Sequence, residues 1–448
     1  MEQTEISTYD LEQEWISKFD INTGRLKENL SNECYLYVQK NQDRIKQLES
    51  EMIRGILFKQ YDNIITYLKQ WVDIPEDQMK VIAIWIIGTY FHKQFSTFPY
   101  LFFNAMRGSG KTRLLTIISW LQNKGNGQVL NNPSEPVLFR TAEERGIILD
   151  EFESQKSKDK QTLREYMNAC YKKGGMVYRM EKQKIDNKEQ QVAKGYPLYT
   201  PVAMANINGI ESVLSDRSIT LILEKSSNPY LVKKIESFDN DIKIKEIKDS
   251  LMRTSCIVCS VYPLKNTIEG WNSFVESRYS TSIHTIHTIH NSTTLHIEDI
   301  YKKIDSTGIF GRNLELFFPL MLVAEMIGAT VFDEIVQIVS KMNVVKKEDE
   351  FTESKDVSLI EFIANRVENR FEPILMHELF NEYQMFAGVD KNDKLNETNI
   401  TWFGLALKRL SLVTWRKRVN KGVMILLNVD HAKEKLKIFK EVEAEVAK

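Results

Sequence analysis

The sequence predicts an α/β fold built on a parallel sheet, with helical regions on both sides of it in the chain. Three stretches predict the sheet. An apolar run at 98–105 leads into a glycine-containing loop and then a helix at 112–124, and a second buried strand at 146–153 ends in acidic residues. A third buried strand lies at 202–205. Buried strands that alternate with helices are typical of a parallel sheet covered on both faces.

The composition excludes several classes of protein. The chain has 448 residues, of which 42 % are hydrophobic and 27 % charged, as in an ordinary globular protein of more than one domain. Its net charge of -1 means that any affinity for nucleic acid must come from local basic patches. The acidic N-terminus is unlike a secretory signal, and the apolar stretches at 81–91 and 314–328 are too short or too interrupted to span a bilayer. We therefore expect a cytoplasmic protein with no membrane partner.

The pattern of apolar periodicity, turns and charge divides the chain into six segments. Between the helix at 112–124 and the second strand, "GQVLNNPSEPVLFRT" predicts a strand and a turn. The six predicted segments are an N-terminal helical region (1–95), the core with the sheet (96–225), a helical lid region (226–345), a charged linker (346–356), a domain of three helices and a hairpin (357–430), and a charged C-terminal helix (431–448).

The loop after the first strand, "NAMRGSGKT", resembles a phosphate-binding loop whose first glycine is replaced by Ala105. Alanine adds only a methyl group where the strand turns, so we expect binding of ATP to be retained. Lys111 is expected to contact the β- and γ-phosphates, and Thr112 to bind Mg²⁺. A chance turn is the alternative. The residues predicted to bind the nucleotide are Ala105, Gly108, Ser109, Gly110, Lys111 and Thr112.

Polar residues follow the second and third strands at the end where α/β sheets bind ligands. Asp150 is expected to hold Mg²⁺ together with Thr112, and Glu151 to orient and deprotonate a water molecule. Asn206 ends the third strand and is expected to hydrogen-bond the γ-phosphate or that water. Acids that cap a strand, and an asparagine that turns the chain, are the alternatives. Adjacent acids favour a hydrolase over a small-molecule kinase.

An arginine follows the third strand in "LSDRSI". Arg217 is expected near the outer edge of the domain, where it reaches the γ-phosphate of a neighbouring subunit as an arginine finger. A surface salt bridge is the alternative.

Four motifs in this order, "AMRGSGKT", "IILDE", "ANING" and "LSDRSI", resemble the P-loop AAA+ ATPases of the MCM and superfamily-3 helicase branch. Within that branch the chain is similar to the MCM-like replicative helicases of mobile genetic elements, over roughly 60–330 and the C-terminal domain. The resemblance implies an AAA+ core and a ring, typically a hexamer, that hydrolyses ATP between subunits to move single-stranded or forked DNA during replication. It also implies that Asn206 is a sensor, that Arg217 acts in trans, and that Arg312 in "FGRNLELFFPL" contacts phosphate. For Arg312 a helix-surface role is the alternative.

The stretch 171–194 lies where these helicases carry a hairpin that grips DNA. Its basic residues suit phosphate contacts, although a solvated charged loop would look the same. The chain departs from some relatives because it has neither primase motifs nor a zinc-binding N-terminal domain. The residues predicted to bind DNA here are Lys172, Lys173, Arg179 and Lys182.

The C-terminal segment 401–429 contains no Asp or Glu. Three helices and a basic hairpin are the layout of a winged helix, which would place one helix in the major groove and the wing on the DNA backbone. A winged helix that docks protein is the alternative. The residues predicted to bind DNA here are Lys408, Arg409, Arg416, Lys417, Arg418 and Lys421.

Two further patterns predict no chemistry. Cys256 and Cys259 form a C-x-x-C without a second pair and lie in a predicted buried helix. The repeat "IHTIHTIH" has no flanking acid or cysteine and is interpreted as low complexity. Two other functions stay open: an AAA+ replication initiator or loader that binds duplex DNA, and a remodelling ATPase indifferent to DNA.

Overall fold

The computed structural model describes residues 7–20, 25–131, 133–151, 165–185, 188–207, 210, 212–261, 264–279, 292–353, 355–366, 372–387, 400–420 and 422–446. The chain separates into two compact units, Met1–Ser340 and Lys341–Lys448. Within those described ranges, no helix combines the length and the apolar content that crossing a bilayer requires.

The N-terminal region is helical, as predicted, apart from one small strand pair that the sequence did not indicate. Its helices begin and end where capping residues and prolines dictate: Ser7 and Ser31 cap two of them through their hydroxyl groups, and Pro75 separates the last two. The last helix, with the run "VIAIWIIG", is buried almost all round. The elements are α1 (Thr8–Lys18), β1 (Phe19–Asp20), β2 (Arg25–Leu26), α2 (Asn32–Lys40), α3 (Gln42–Lys69) and α4 (Glu76–Thr89).

A parallel sheet forms the centre of the first unit. In the described residues it has five strands in the order β4-β5-β8-β3-β9, and β3 pairs in parallel with both β8 and β9. An antiparallel hairpin, β6–β7, is inserted before β8. The elements are β3 (Tyr100–Ala105), α5 (Lys111–Leu121), β4 (Leu130–Asn131), α6 (Glu135–Glu144), β5 (Ile147–Asp150), α7 (165–170), β6 (Met176–Ile185), β7 (Lys188–Pro197), β8 (Val202–Asn206), α8 (Ser212–Ser215) and β9 (Ser218–Leu223).

The predicted α/β core with buried strands is confirmed, and β3, β5 and β8 lie where their apolar runs predicted them. The strand predicted within 127–141 is present as β4, but the same stretch also contains a helix that was not predicted, since α6 occupies Glu135–Glu144. Pro136 lies in its first turn, where a missing N–H is tolerated, and Leu138 and Phe139 pack into the core.

The described elements after β9 are helices, as predicted for this region, and the last of them, α14, begins in the first unit and ends in the second. The charged stretch 346–356, however, differs from the predicted linker, since α14 continues through Glu353. Lysines and acids three or four residues apart support a helix as well as they mark a linker. The elements are α9 (Pro229–Val232), α10 (Ile242–Val261), α11 (Leu264–Tyr279), α12 (Ser292–Asp305), α13 (Gly311–Ile327) and α14 (Ala329–Glu353).

The second unit contains the three helices and the hairpin that the sequence predicted, together with a short strand that it did not. Its antiparallel sheet has the strand order β10-β12-β11 among the described residues. Leu359, Phe403 and Ile425 are buried together in its core. The elements are α15 (Lys355–Ala364), β10 (Ile374–Leu375), α16 (Met376–Phe386), α17 (Ile400–Arg409), β11 (Val413–Val419), β12 (Gly422–Leu427) and α18 (Val429–Val446).

The cysteine and histidine patterns add no metal site to what the structure describes. Cys256 and Cys259 lie in α10, and His296 lies in α12. His284, His287 and His290 are outside the described residues. Among the residues that are described, no group of His, Cys, Asp and Glu side chains could hold a metal ion without other ligands.

Candidate active site

The loop 106–110 connects the carboxyl end of β3 to the start of α5. Gly108 has a φ of 76° and Gly110 a φ of 82°, a left-handed conformation that side chains disfavour. Ala105 ends β3, is buried, and pairs in register with Leu223 of β9. Its φ is not positive, so the strand accommodates the methyl group that replaces the expected glycine.

Two sequence motifs about forty residues apart meet at this loop. The Lys111 Nζ atom lies 3.2 Å from Asp150 Oδ1 and 3.1 Å from Glu151 Oε1. Thr112 Oγ1 donates a 2.6 Å hydrogen bond to Asp150 Oδ2. The meeting follows from the parallel sheet, because β3 and β5 both end at the same end of it. We call this the carboxyl end of the sheet.

Two polar atoms at the carboxyl end are buried without a hydrogen-bond partner among the described residues. One is Ser109 Oγ, and the other is Asp150 Oδ1. Lys111 Nζ is not aligned for a hydrogen bond with that Oδ1 atom. At 3.2 Å the two atoms nevertheless form an ion pair. Buried atoms of this kind are costly unless a ligand or water satisfies them.

Glu151 and Asn206 complete the group. Glu151 has a φ of 55°, an uncommon backbone conformation for a residue other than glycine, and its side chain is 67 % exposed. Asn206 is 2 % exposed, and its Oδ1 atom accepts a 2.8 Å hydrogen bond from the Ile207 N–H group. Since β8 lies between β5 and β3, Asn206 stands between Asp150 and the loop.

These residues suit a nucleoside triphosphate with Mg²⁺. The glycine conformations keep side chains away from the surface that backbone N–H groups would present to phosphate. Mg²⁺ in such sites is held by one or two carboxylates or hydroxyls together with substrate phosphates, which matches Asp150 and Thr112. Ser109 Oγ, which is buried without a hydrogen-bond partner among the described residues, supplies a further polar contact at the same place.

Lys225 is a candidate that the sequence analysis missed. A β-carbon placed on Gly108 would lie 3.6 Å from Lys225 Cε, so the lysine side chain crosses the loop. Lys225 is exposed, and no described residue forms an ion pair or hydrogen bond with it. The available signal was its position two residues after β9, the strand beside β3.

Arg113 was missed as well, and it holds the start of α5 in place. Its Nη1 atom donates to the carbonyl oxygens of Trp71 and Leu231 at 3.3 and 3.0 Å. Its Nη2 atom donates to the Lys234 carbonyl at 2.8 Å, and its Nε atom lies 3.2 Å from Glu236. Arg113 therefore acts as a positioning residue next to Thr112. No pattern in the sequence around it predicts these contacts.

The two predicted arginines lie together, but away from the loop. The guanidinium groups of Arg217 and Arg312 lie 5.8 and 5.6 Å from the centre of the Tyr171 ring. Burial raises the pKa of Tyr171, and Arg312 opposes that shift. We call Arg217, Arg312 and Tyr171 the arginine cluster.

Each arginine of the cluster also has a partner within the chain. Arg217 Nη1 donates to Asn168 Oδ1 at 2.7 Å and to the Val213 carbonyl at 2.8 Å. Arg312 pairs with Glu315 at 2.7 Å, which agrees in part with the helix-surface alternative.

The arginine cluster lies at the opposite end of the sheet from the loop. The Arg217 carbonyl accepts a 2.9 Å hydrogen bond from the N–H group of Tyr100, the first residue of β3, whereas the loop follows Ala105, its last. From Tyr100 to Ala105 the strand advances five residues at about 3.3 Å each, so its two ends are about 17 Å apart. That is farther than an arginine side chain reaches, so within one chain the structure does not bring Arg217 to Lys111.

The predicted DNA-binding residues of the hairpin differ in their exposure and in their contacts within the chain. Lys172 is exposed at its base, while Lys173 Nζ donates to the Lys93 carbonyl at 3.0 Å. Arg179 pairs with Glu135 and contacts the Tyr166 hydroxyl group. The side chain of Lys182 is outside what the structure describes.

The predicted DNA-binding residues of the second unit are more uniform. Lys421 falls outside the described residues. The cations of α17 and β11 are all exposed, namely Lys408, Arg409, Arg416, Lys417 and Arg418.

Comparisons with known proteins add little to this geometry. No sequence profile of a protein family matches the chain, and no curated protein matches it. Among solved structures, the A form apo structure of the NrS-1 C-terminal region aligns with a TM-score of 0.29 and 10 % identity, over 83 % of this chain and 74 % of that chain. A second structure of that region gives 0.28 and 12 %, over 83 % and 75 %. Likeness at this level supports no functional argument, so the function is argued from the residues.

Proposed function

We propose that the protein is a ring-forming AAA+ ATPase that uses ATP to move or unwind DNA, as a replicative helicase of a mobile genetic element does. The observation that carries the proposal is the convergence of Lys111, Thr112 and Asp150 beneath a loop with two left-handed glycines. A loop of this kind supports phosphate binding, and an acid paired with its lysine and threonine supports metal-assisted hydrolysis.

The residues of one chain have separable roles in this proposal. Lys111 exchanges its contacts with Asp150 and Glu151 for phosphate oxygens when ATP binds. Glu151, released from the lysine and exposed, then accepts a proton from the attacking water. Thr112 and Asp150 would hold Mg²⁺, which would supply positive charge to offset that of the phosphates. Asn206 orients the water or the γ-phosphate from its place between β5 and β3.

A second copy of the chain supplies the arginines. Because the arginine cluster lies at the amino end of the sheet, Arg217 and Arg312 lie far from their own loop. A head-to-tail contact joins one end of a subunit to the other end of its neighbour, and such contacts close into rings. The separation of the two groups of residues therefore supports a site shared between subunits, with a hexamer as the proposed ring.

DNA is the proposed partner of two basic regions. The first is the hairpin β6–β7, whose sequence includes Lys182, together with the exposed Lys172 at its base. The second unit, proposed to be a winged helix, offers exposed cations on α17 and β11 without a single acid in 401–429. Both features suit contacts with phosphates.

The first experiment is steady-state ATP hydrolysis by the full chain with no DNA, single-stranded DNA or duplex DNA, at low and moderate salt. Glu151→Gln serves as the matched control, since it keeps the shape of the side chain but removes the base. We expect single strands to stimulate the wild type and turnover to be lost in Glu151→Gln. Turnover that ignores DNA would contradict the helicase and favour a remodelling ATPase.

A replication initiator or loader is the second candidate, and one contrast favours it. Arg179 of the hairpin pairs with Glu135, and Lys173 donates to a carbonyl. By contrast, four exposed cations of α17 and β11 form no ion pair with a described residue, namely Lys408, Arg416, Lys417 and Arg418. An initiator depends on the second unit and not on the hairpin. Tight, sequence-specific duplex binding without unwinding would support the initiator.

A further inference from the structure

A cavity of about 400 Å³ opens in the second unit between α17 and the start of β11. That volume falls within the range of about 300–1,000 Å³ in which small-molecule ligands bind. Leu407 of α17, Met376 of α16 and Ile425 of β12 form apolar parts of its wall. We propose that this cavity receives one unpaired base of a single-stranded nucleic acid, with Trp415 as the stacking partner.

Two local features shape the cavity. Gly404 lines it, and a β-carbon there would lie 3.3 Å from Met376 Sδ, so a larger residue would press on the Met376 side chain. The pairing of β11 with β12 shifts between Val413 and Trp415, which marks a bulge. Bulges re-aim side chains, and this one lies at the rim of the cavity.

Trp415 is the feature that points to a flat, aromatic occupant. Its side chain lines the cavity and is 41 % exposed, although tryptophan is usually highly buried. Aromatic side chains that line a groove with cations bind successive bases of single strands by stacking. A base inside a duplex has both faces covered, so Trp415 can stack only on a base that is unpaired or at an end.

The charges around the cavity favour nucleic acid over an apolar peptide. Lys408 and Arg416 line it, and the neighbouring Lys417 and Arg418 are exposed on the same strand as Arg416. No acid occurs anywhere in 401–429 to oppose them. Cations beside an aromatic ring suit the phosphates on either side of a stacked base. The hydroxyl groups of Ser411 and Thr414 also line the cavity and can bond the edge of a base.

This inference rests on the proposal that DNA is a partner of the chain. It adds that the second unit binds DNA that is single-stranded. A unit that only places a helix in the major groove would read paired bases. A cavity for one unpaired base instead selects a single strand or the open arm of a fork. The second unit would then distinguish unwound from duplex DNA.

The test measures binding of the full chain, without ATP, to labelled strands by fluorescence anisotropy. The probes are a short oligothymidylate, an abasic strand with the same number of phosphates, and a duplex. We expect the oligothymidylate to bind about fivefold to 150-fold more tightly than the abasic strand, the range for stacking of one base. Trp415→Ala should remove most of that preference and leave affinity for the abasic strand unchanged.

Two variants guard the interpretation. Trp415→Phe keeps an aromatic ring and should retain most of the preference. Leu405→Ala changes an exposed residue of α17 that does not line the cavity, and it should behave as wild type.

Three outcomes decide between the proposals. If Trp415→Ala keeps the preference for strands with bases, or if the wild type shows no such preference, the cavity does not bind a base. A protein side chain would then be the candidate occupant of the cavity. Either result, with strands still bound, leaves DNA as a partner. Failure to bind any strand would overturn both proposals together.

Discussion

The two ends of the central sheet differ in what their charges do. At the carboxyl end, Lys111 lies between two carboxylates and has its counterions within the chain. At the amino end, the arginine cluster gathers two guanidinium groups around one tyrosine, and of the two only Arg312 forms an ion pair within the described residues. The charges at the carboxyl end are thus balanced by carboxylates, whereas Arg217 at the amino end is held by an amide oxygen and a carbonyl oxygen.

For the proposed ATP hydrolysis, this difference between the two ends of the sheet indicates which residues would stabilise the transition state. A phosphoryl-transfer site needs positive charge at the phosphates in the transition state, and an added arginine contributes several powers of ten. The length of β3 separates the arginine cluster from the loop of the same chain by about 17 Å. A partner subunit that stacks its amino end on the carboxyl end closes that distance without any change of fold.

The strongest test of this comparison removes the guanidinium group that lacks an acid. Arg217→Ala should bind ATP normally but hydrolyse it about 10³-fold more slowly or worse, because the arginine acts in the transition state. Nucleotide binding by fluorescence and turnover by phosphate release separate the two effects. Arg217→Lys is the matched control, which keeps the charge and loses the planar fork, and should recover only part of the rate.

Complementation shows whether Arg217 acts on a neighbour. Arg217→Ala and Lys111→Ala, co-expressed with different tags and purified as mixed assemblies, should regain activity that neither has alone. With equal amounts, about a quarter of the contacts join an intact loop to an intact arginine in a closed ring. Mixed assemblies as inactive as the single variants, or full turnover by Arg217→Ala alone, would contradict a shared site.

The next test acts at the carboxyl end. Lys111→Ala should slow hydrolysis by about 10²–10³-fold, the loss typical for one preorganised charge at a reacting phosphate or carbonyl. It should also weaken ATP binding, which Arg217→Ala should not. Added to wild type, it should inhibit by more than dilution if subunits act together, and a strictly proportional loss would argue against a cooperative ring.

The sequence predicted the carboxyl end far better than the amino end, for a physical reason. Continuous apolar runs revealed β3, β5 and β8, and parallel strands that end together bring Lys111 to Asp150 whatever lies between them. The neighbourhood of Arg217 and Arg312 depends on how α13 packs near Tyr171, which no local pattern encodes. The sequence missed α6 for a different, local reason, since a proline fits the first turn of a helix as well as it fits a turn.

The smallest expected effect concerns Lys225, which belongs to the carboxyl end but has no counterion there among the described residues. Its side chain crosses Gly108 from the strand beside β3, so it adds charge to the loop without taking part in the Lys111–Asp150 contacts. An exposed charge near a phosphate is screened by solvent and worth about 1 kcal/mol or less, or about fivefold in affinity. Lys225→Ala should therefore weaken ATP binding by that factor, more at low salt than at high salt, and leave the rate at saturating ATP nearly unchanged.

Lys233→Ala is the control for Lys225→Ala, because it removes another exposed lysine eight residues further along the chain. Titrations of ATP at two salt concentrations, read by turnover, give the apparent affinity and the maximal rate for both variants. Equal effects of the two substitutions would mean that Lys225 contributes only to the general field of the domain. A fall in the maximal rate specific to Lys225→Ala would instead place Lys225 with the arginine cluster among the residues that act in the transition state, and the division between the two ends of the sheet would no longer hold.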